Sequence, residues 1–234
     1  LVPHTCLKGC LVMIQLTHIT KEYRFGEKSQ TVLNDISITI SEGECVGCFG
    51  ASGSGKSTLL NIIGLLDSPS GGVVSIAGRD CCRLTDRERA EIRGERIGFV
   101  FQSFHLEPRY TVWQNVEVPL LLTNLKSTER AERISQVLAK VGLEVMAKKK
   151  ASLLSGGEQQ RVAIARAIVR NPDIILADEP CGNLDAENKE TVMRILKSLS
   201  NEGKTVLIVT HDREAVKFCT RILLLKNGKI IDEK

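Results

Sequence analysis

The sequence predicts an α/β fold with a helical subdomain inserted into it. Short apolar runs typical of buried strands recur at residues 45–49, 97–101, 173–177 and 205–209. The first run leads into a glycine-rich loop and an amphipathic helix at 57–66. Residues from about 103 to 153 differ, since they contain two prolines and a charged helix. A chain of 234 residues therefore suits one large domain with a subdomain.

The composition argues against two classes of protein. A hydrophobic content of 42% supports an ordinary core. A net charge of +4 is only mildly basic and falls short of the footprint of a nucleic-acid binder, so no nucleic-acid partner is expected. No apolar run approaches the roughly 18 residues of a membrane span. Any membrane role therefore requires another chain to do the spanning.

The eight cysteines do not form an evident metal or disulfide framework. Cys45 and Cys48 form a C-x-x-C inside a predicted strand, where residues three apart face opposite sides. We do not expect them to bind one ion or to pair. We interpret most of the cysteines as reduced thiols that act as small apolar residues, which suits a cytoplasmic protein.

Residues 1–12 precede the first methionine, Met13, and lack the long apolar centre of a signal peptide. We interpret them as a tag remnant or a misassigned start. A single domain is expected over 13–234. Its core comprises 13–102 and 154–234, and the helical subdomain lies at about 103–153.

The first strands are expected between residues 13 and 40. Ile36, Ile38 and Ile40 alternate with polar residues, which is typical of a half-buried strand. Tyr23 is expected to lie between the first strands. Its ring could stack on a purine, and an ordinary surface aromatic explains the same residue equally well.

The loop after the strand Cys45–Phe49 matches G-x-x-x-x-G-K-[ST], the phosphate-binding P-loop. Glycines let backbone N–H groups approach a polyphosphate, and the following helix directs its positive dipole end at the same anion. Lys56 is expected to reach the phosphates, and Ser57 to bind Mg²⁺. The candidate nucleotide-binding residues are Gly50, Ala51, Ser52, Gly53, Ser54, Gly55, Lys56, Ser57 and Thr58.

Two further helices are predicted before residue 153. Thr85 and Glu88 match a capping box, and the helix that they open is expected to end near Gly94. The next predicted strand, at 97–101, ends directly before Gln102. In the subdomain, Gly142 is expected to end a helix with an apolar stripe formed by Ala131, Ile134, Leu138 and Val141.

A second glycine-containing helix start follows at residues 154–161. Ser155 and Glu158 match a capping box. Gly156 and Gly157 leave the first N–H groups of the helix uncovered, which makes this a second candidate anion site. A plain capped helix is the alternative.

The apolar strand at 173–177 ends in two acids. Asp178, at the end of a buried strand beside a P-loop, is placed to hold Mg²⁺. Glu179 could orient and deprotonate an attacking water. A pair of solvated turn acids is the alternative.

The last part of the chain predicts a helix, a strand and a hairpin. Asp185 begins a helix with one apolar face, and His211 follows the buried strand at 205–209. A lone histidine is more often structural than functional. Asn227 and Gly228 between two apolar runs predict a β-hairpin.

The order of these motifs over residues 13–234 resembles the nucleotide-binding subunit of ATP-binding cassette (ABC) transporters. The matching motifs are the P-loop at 50–57, Gln102 as the Q-loop, the signature at 154–159, Asp178-Glu179 as Walker B with the base, the D-loop at 182–185 and His211 as the switch histidine. The signature is the most specific of them. The resemblance implies a P-loop core with an N-terminal antiparallel β subdomain and an inserted helical subdomain.

The resemblance also implies a homodimer with ATP sandwiched at its interface. Each ATP would lie between the P-loop of one copy and Ser155, Gly156 and Gly157 of the other. Asp185 is assigned to the same nucleotide site through its match to the D-loop. Tyr23 matches the aromatic residue that stacks on adenine.

The roles in hydrolysis follow from the same resemblance. Lys56 and Ser57 would hold the phosphates and Mg²⁺, and Gln102 and Asp178 would hold Mg²⁺ or its waters. Glu179 would be the general base. His211 would hold the γ-phosphate and the attacking water.

Residues 101–108 and 178–185 resemble one branch of the family, which contains macrolide exporters, lipoprotein-release ATPases and a cell-division ATPase partnered with an FtsX-type membrane protein. This resemblance implies a few-span, permease-like partner that the helical subdomain contacts. It implies a location on the inner face of the cell membrane. Cys181, Ala51 and Glu107 depart from the usual pattern, but none removes a group needed for hydrolysis.

The motifs leave three alternative functions. A soluble ABC ATPase of DNA maintenance would interrupt the cassette with coiled coils or zinc modules, and a translation factor would carry two cassettes. A slow ATPase that gates a cell-wall regulator is compatible with the intact catalytic positions. A P-loop kinase does not explain residues 154–159.

Overall fold

Two β-sheets, one of four strands and one of six, organise the residues that the structure describes, 11–26 and 28–233 of a computed structural model. The strands are β1 (Val12–Phe25), β2 (Lys28–Ser41), β3 (Cys45–Phe49), β4 (Gly71–Ile76), β5 (Arg79–Asp80), β6 (Ile97–Phe101), β7 (Ile174–Asp178), β8 (Thr205–Thr210), β9 (Arg221–Lys226) and β10 (Lys229–Glu233). The helices are α1 (Lys56–Ile63), α2 (Asp86–Arg96), α3 (Val112–Glu117), α4 (Ser127–Lys140), α5 (Gly156–Ile168), α6 (Ala186–Asn201) and α7 (Arg213–Val216). Short 3-10 helices occupy Val118–Leu122, Glu144–Met146 and Ala151–Leu153.

The predicted tag or misassigned start at 1–12 lies outside the described residues as far as residue 10. The last two of its residues are described, and β1 begins at Val12. In the described part of the chain, no helix is long and apolar enough to cross a bilayer.

The larger sheet has the strand order β10-β9-β3-β8-β7-β6 and is parallel except for β10. Its central strands are short and almost wholly buried because helices cover both faces. Along β7, Ile174 and Leu176 face one apolar cluster, while Ile175 and Ala177 face the other. Successive residues of a strand face opposite sides, and both sides of this sheet are buried, so the sequence of each strand is a continuous apolar run.

The register of this sheet brings several strand ends together. Phe49 of β3 pairs with Thr210 of β8. Asp178 of β7 pairs with Val209 of β8 on one side and with Phe101 of β6 on the other. The residues that follow these four strands therefore meet at one edge of the sheet, where ligands bind in open α/β sheets.

The smaller sheet is antiparallel, with the order β2-β1-β4-β5. Ile36, Ile38 and Ile40 are all buried on it, which confirms the predicted strand. The expectation that Tyr23 lies between strands was wrong. Tyr23 lies inside β1, because β1 and β2 stay paired as far as Phe25 and Lys28.

Local sequence signals place most helix starts correctly. The capping boxes at Thr85 and Ser155 are both formed. Helix α1 is shorter than the predicted 57–66, since Gly64 caps it and Leu65 turns away with a φ of 57°. Helix α2 continues two residues past Gly94, because it runs directly into β6.

Between β6 and α5 the described chain contains helices α3 and α4 and the three 3-10 helices, joined by turns and loops. Helix α4 buries Ile134 and Leu138. It is followed by Gly142 in the left-handed conformation, with a φ of 67°. Asn227 and Gly228 form the predicted hairpin turn between β9 and β10, both with positive φ.

Candidate active site

A cavity of about 890 Å³ opens at the sheet edge where β3, β6, β7 and β8 end. It gathers residues as far apart in the chain as Ala51 and His211. The predicted residues that line it are Ala51, Ser52, Gly53, Gly55, Lys56, Ser57, Thr58, Gln102, Asp178, Glu179 and His211. The strand register is what brings them together.

The P-loop has the backbone that its glycines permit. Gly53 and Gly55 have φ angles of 76° and 105°, which side chains rarely tolerate. A Cβ on Gly50 would lie 2.4 Å from the carbonyl oxygen of Leu225, so this position also has no room for a side chain. The loop is therefore held close against the rest of the fold.

Lys56 is buried inside this loop. Its Nζ donates hydrogen bonds to the carbonyl oxygens of Gly50 at 2.9 Å and Ala51 at 3.0 Å. It also lies 3.8 Å from Oε1 of Glu179. The ammonium group is thus held at the cavity wall by two neutral acceptors, with one carboxylate nearby.

Asp178 ends β7, and its side chain is half-buried. Its Oδ1 has no hydrogen-bond partner. Burial raises the pKa of Asp178 above its ordinary value, and Glu179 adds to this shift, while the Ser57 hydroxyl and Lys56 oppose it. An unpartnered carboxylate oxygen beside a serine hydroxyl fits a hard cation such as Mg²⁺.

No group of three or more His, Cys, Asp or Glu side chains could hold a metal ion among the described residues.

Glu179 adopts a strained backbone conformation directly after Asp178. Its φ is 47°, which is uncommon for a residue other than glycine and is found preferentially at functional sites. Oε1 accepts hydrogen bonds from the backbone N of His211 at 3.0 Å and lies 2.8 Å from its Nδ1. Oε2 accepts a hydrogen bond from the Thr210 hydroxyl at 2.8 Å. Glu179 and His211 are therefore in direct contact.

Gln102 follows β6 and is exposed at the wall of the cavity. Its Nε2 lies 3.4 Å from Oδ1 of Asn183. A Cβ on Gly182 would lie 2.8 Å from the same nitrogen. Gln102 thus contacts the 182–185 segment that follows the acidic pair.

The family model described as "ABC transporter" matches residues 33–182 of this chain. The chain belongs to the ABC transporter family.

Several relatives of this ABC cassette are known. The macrolide export ATP-binding/permease protein MacB of Chlorobaculum tepidum is 44% identical over 222 residues, which is 95% of this chain and 34% of that protein. The Bacillus subtilis protein named uncharacterized ABC transporter ATP-binding protein YvrO is 44% identical and is covered to 97%. The chain therefore spans about a third of the length of MacB and nearly all of YvrO.

Solved ABC structures agree closely with the fold. The dimeric structure of MJ0796, described as a bacterial ABC transporter cassette, has a TM-score of 0.87 and 47% identity, covering 95% of this chain and 98% of that chain. A dimeric post-hydrolysis state of MJ0796 bound to ADP and Pi has the same TM-score at 45% identity. The predicted family, the predicted ABC fold and the ATPase class are confirmed.

The signature residues of this ABC cassette lie outside the cavity. Ser155 caps α5, and both it and Gly156 are exposed. Gly157 has a packing reason to be glycine, since a Cβ there would lie 1.9 Å from Oδ1 of Asn188. Asp185 caps α6 by accepting a hydrogen bond from the backbone N of Asn188 at 2.9 Å. Within one chain these four residues are not brought to the P-loop.

Tyr23 also does not line the cavity. Its hydroxyl donates a hydrogen bond to Oδ2 of Asp67 at 2.8 Å, and Nζ of Lys21 lies 4.8 Å from the ring centroid. Burial, and then the hydrogen bond to Asp67, raise the pKa of Tyr23. The same hydroxyl lies beside Thr58, so the ring stands next to the P-loop helix. Its role in adenine stacking stays a prediction.

Several residues of the site are not predicted from the sequence. Five further residues line the cavity: Gln30, Val32, Phe101, Ser103 and His105. The β2 residues could not be found from sequence, because nothing local places that strand beside the P-loop. Thr210 was also missed, although a polar residue at the end of a buried apolar run was a usable signal.

Proposed function

We propose that this chain is the ATP-binding and ATP-hydrolysing subunit that powers a membrane-protein partner through ATP-driven closure of a dimer. The observation that carries the proposal is the separation of two sets of predicted nucleotide-binding residues within one chain. The P-loop, the two acids and His211 share one cavity, whereas Ser155 and Gly156 are exposed outside it.

The cavity residues suit the charge of a nucleotide triphosphate. Lys56 now donates to two loop carbonyls, and phosphate oxygens would replace these weaker acceptors. Ser57 and Asp178, with Gln102 at the cavity wall, would hold Mg²⁺, which neutralises charge on the phosphates when it is bound. Positioning and charge stabilisation carry most of the rate in such reactions.

Glu179 and His211 act on the attacking water in this proposal. Glu179 would accept the proton of the water as general base. His211 contacts the same carboxylate and lines the cavity, so it can hold the γ-phosphate and the water. The strained backbone of Glu179 supports a functional role for this residue.

A second copy would complete the site. A single P-loop leaves part of the γ-phosphate uncovered, and the start of α5 in the other copy offers further N–H donors. Asp185 would join the same interface. MJ0796, which shares 47% identity with this chain, forms dimers in its solved structures.

The membrane partner would bind the helical segment at 103–153. This segment exposes large apolar side chains, with Leu121 60% and Leu122 87% exposed. The chain would then lie at the inner face of the membrane through a permease-like partner with few spans. MacB is named an ATP-binding/permease protein, which supports a partner of that type.

The function that we propose for the complete complex is export or mechanical transmission. Relatives at 44% identity include MacB proteins and a probable syringafactin export protein, SyfD, of Pseudomonas syringae. MacB and SyfD are thus equally similar to this chain, although their names give different cargoes. This supports the proposal that the membrane partner determines the cargo.

The decisive test is the solution mass of Glu179→Gln with and without ATP. A shift from monomer to dimer only with ATP supports the closure and the role of Glu179. A monomer in both conditions, with ATP shown to be bound, contradicts closure by this chain alone. Full ATPase activity in Glu179→Gln contradicts the assignment of the base.

A further inference from the structure

We propose that Thr210 is a positioning residue for hydrolysis, which holds the Glu179 carboxylate in place through its hydroxyl group. This inference rests on the proposed role of Glu179 as the base. It adds a residue to the hydrolytic site that none of the sequence motifs contains.

The hydroxyl of Thr210 has a single possible direction for its proton. Thr210 ends β8 and is 2% exposed. Its Oγ1 accepts a hydrogen bond from the backbone N of Asp212 at 3.0 Å. A hydroxyl has one proton to donate, and the remaining contact is Oε2 of Glu179 at 2.8 Å. The chain therefore aims this donor at one oxygen of the carboxylate.

The backbone N of His211 also donates to this carboxylate, at 3.0 Å to Oε1 and 3.3 Å to Oε2, whereas the other side-chain contacts of Glu179 are less permanent. The His211 side chain is 64% exposed, so the contact of its ring with Oε1 is free to rearrange. Lys56 lies 3.8 Å from Oε1 and is the group that would turn to phosphate when nucleotide binds. Among the described residues, Thr210 is the deeply buried side chain that donates to this carboxylate at normal hydrogen-bond distance.

The position of Thr210 is itself fixed by its surroundings. Its strand is paired on both sides, with β3 and with β7. The Asp212 side chain caps α7 by accepting from the N of Glu214 at 2.8 Å. It also accepts from Nζ of Lys189 on α6 at 2.6 Å. Asp212, whose backbone N donates to the Thr210 hydroxyl, is therefore held by contacts with α6 and α7.

The test compares Thr210→Val, which keeps the branched shape, with Thr210→Ser, which keeps the hydroxyl. A hydrogen bond to a charged group is worth about 1.5–3 kcal/mol, so kcat for ATP hydrolysis should fall by about 10-fold to 150-fold in Thr210→Val. KM for ATP and the Kd of a non-hydrolysable ATP analogue should stay within about twofold. Thr210→Ser should retain most of the activity.

A matched control lies on the same strand. Thr205 is also fully buried in β8, at the opposite end, and its Oγ1 contacts backbone groups of Gly43 and Ser41. Thr205→Val should leave kcat unchanged. If Thr210→Val does not fold, Thr210→Ala removes the same hydroxyl with a smaller side chain and replaces it in the comparison.

A double-mutant cycle separates positioning from a structural role. If Thr210 acts through Glu179, then Thr210→Val should cause no further loss of rate in a Glu179→Gln background, measured in single turnovers with enzyme in excess. A further loss of the same size overturns the proposal, as does a fully active Thr210→Val or an equally impaired Thr210→Ser. Full activity of Glu179→Gln alone is a different outcome, since it rejects the base and the proposed mechanism with it.

Discussion

Replacing Gly55 by alanine should destabilise the nucleotide-free protein by about 2–5 kcal/mol. Gly55 has a φ of 105°, and an L-residue in left-handed backbone costs about 1–2 kcal/mol. A Cβ there would also lie 2.8 Å from Cδ2 of Leu33 and 3.0 Å from the carbonyl oxygen of Val32. The leucine methyl can move, but the carbonyl belongs to a paired strand, so overpacking adds about 1–3 kcal/mol.

Gly53 in the same loop supplies the matched control. Its φ is 76°, and a Cβ on this residue would meet no other atom within 4 Å. Gly53→Ala should therefore cost only the backbone term of about 1–2 kcal/mol. The entropy that alanine removes from the unfolded chain is common to both variants and cancels in the comparison.

The assay is equilibrium urea unfolding followed by circular dichroism, without nucleotide. Each kcal/mol should also lower Tm by about 2–4 °C for a chain of this size. The result that refutes the reasoning is a Gly55→Ala variant that is no less stable than Gly53→Ala. It would mean that β2 does not pack against the P-loop as described.

Three further predictions concern the thiols and the Tyr23 cluster. Burial raises the pKa of Cys48 and of Cys181 to about 12, so both thiols stay protonated at pH 8. They should react with a thiol reagent only after the protein is denatured. Fast labelling of either thiol in the native protein contradicts this prediction. Burial alone would raise the pKa of Asp67, but hydrogen bonds, first that from Lys21, lower it in the folded protein. The Asp67 carboxylate therefore stabilises the folded state at pH values above the ordinary aspartate pKa. This stabilisation is lost as the pH falls through the lower pKa of the folded state. Asp67→Asn should accordingly lower Tm at neutral pH and converge with the parent protein in acid, and parallel Tm curves would count against this. If Tyr23 stacks on adenine, Tyr23→Ala should raise the Kd for ATP by about 5-fold to 150-fold, while Tyr23→Phe stays within about twofold; equal effects of the two would reject stacking.

The contact between Gly157 and Asn188 is an example of a feature that local sequence patterns do not predict. The sequence predicts Gly157 to be part of a candidate anion site, because glycine at a helix start uncovers N–H groups. The structure adds a second cause, since Asn188 of α6 occupies the space of a Cβ. The two residues belong to different helices, and no local pattern connects them.

The sequence by itself determined the features that depend on near neighbours. The P-loop, the capping boxes at Thr85 and Ser155, the buried strands and the Asn227-Gly228 turn all follow from side chains within a few positions of each other. Only the tertiary structure decided which of these features meet. It placed β2 beside the P-loop, bound Tyr23 to Asp67 and set Thr210 against Glu179. These contacts follow from strand order and register, which arise from the packing of the whole chain because equally apolar strands can pair in many orders.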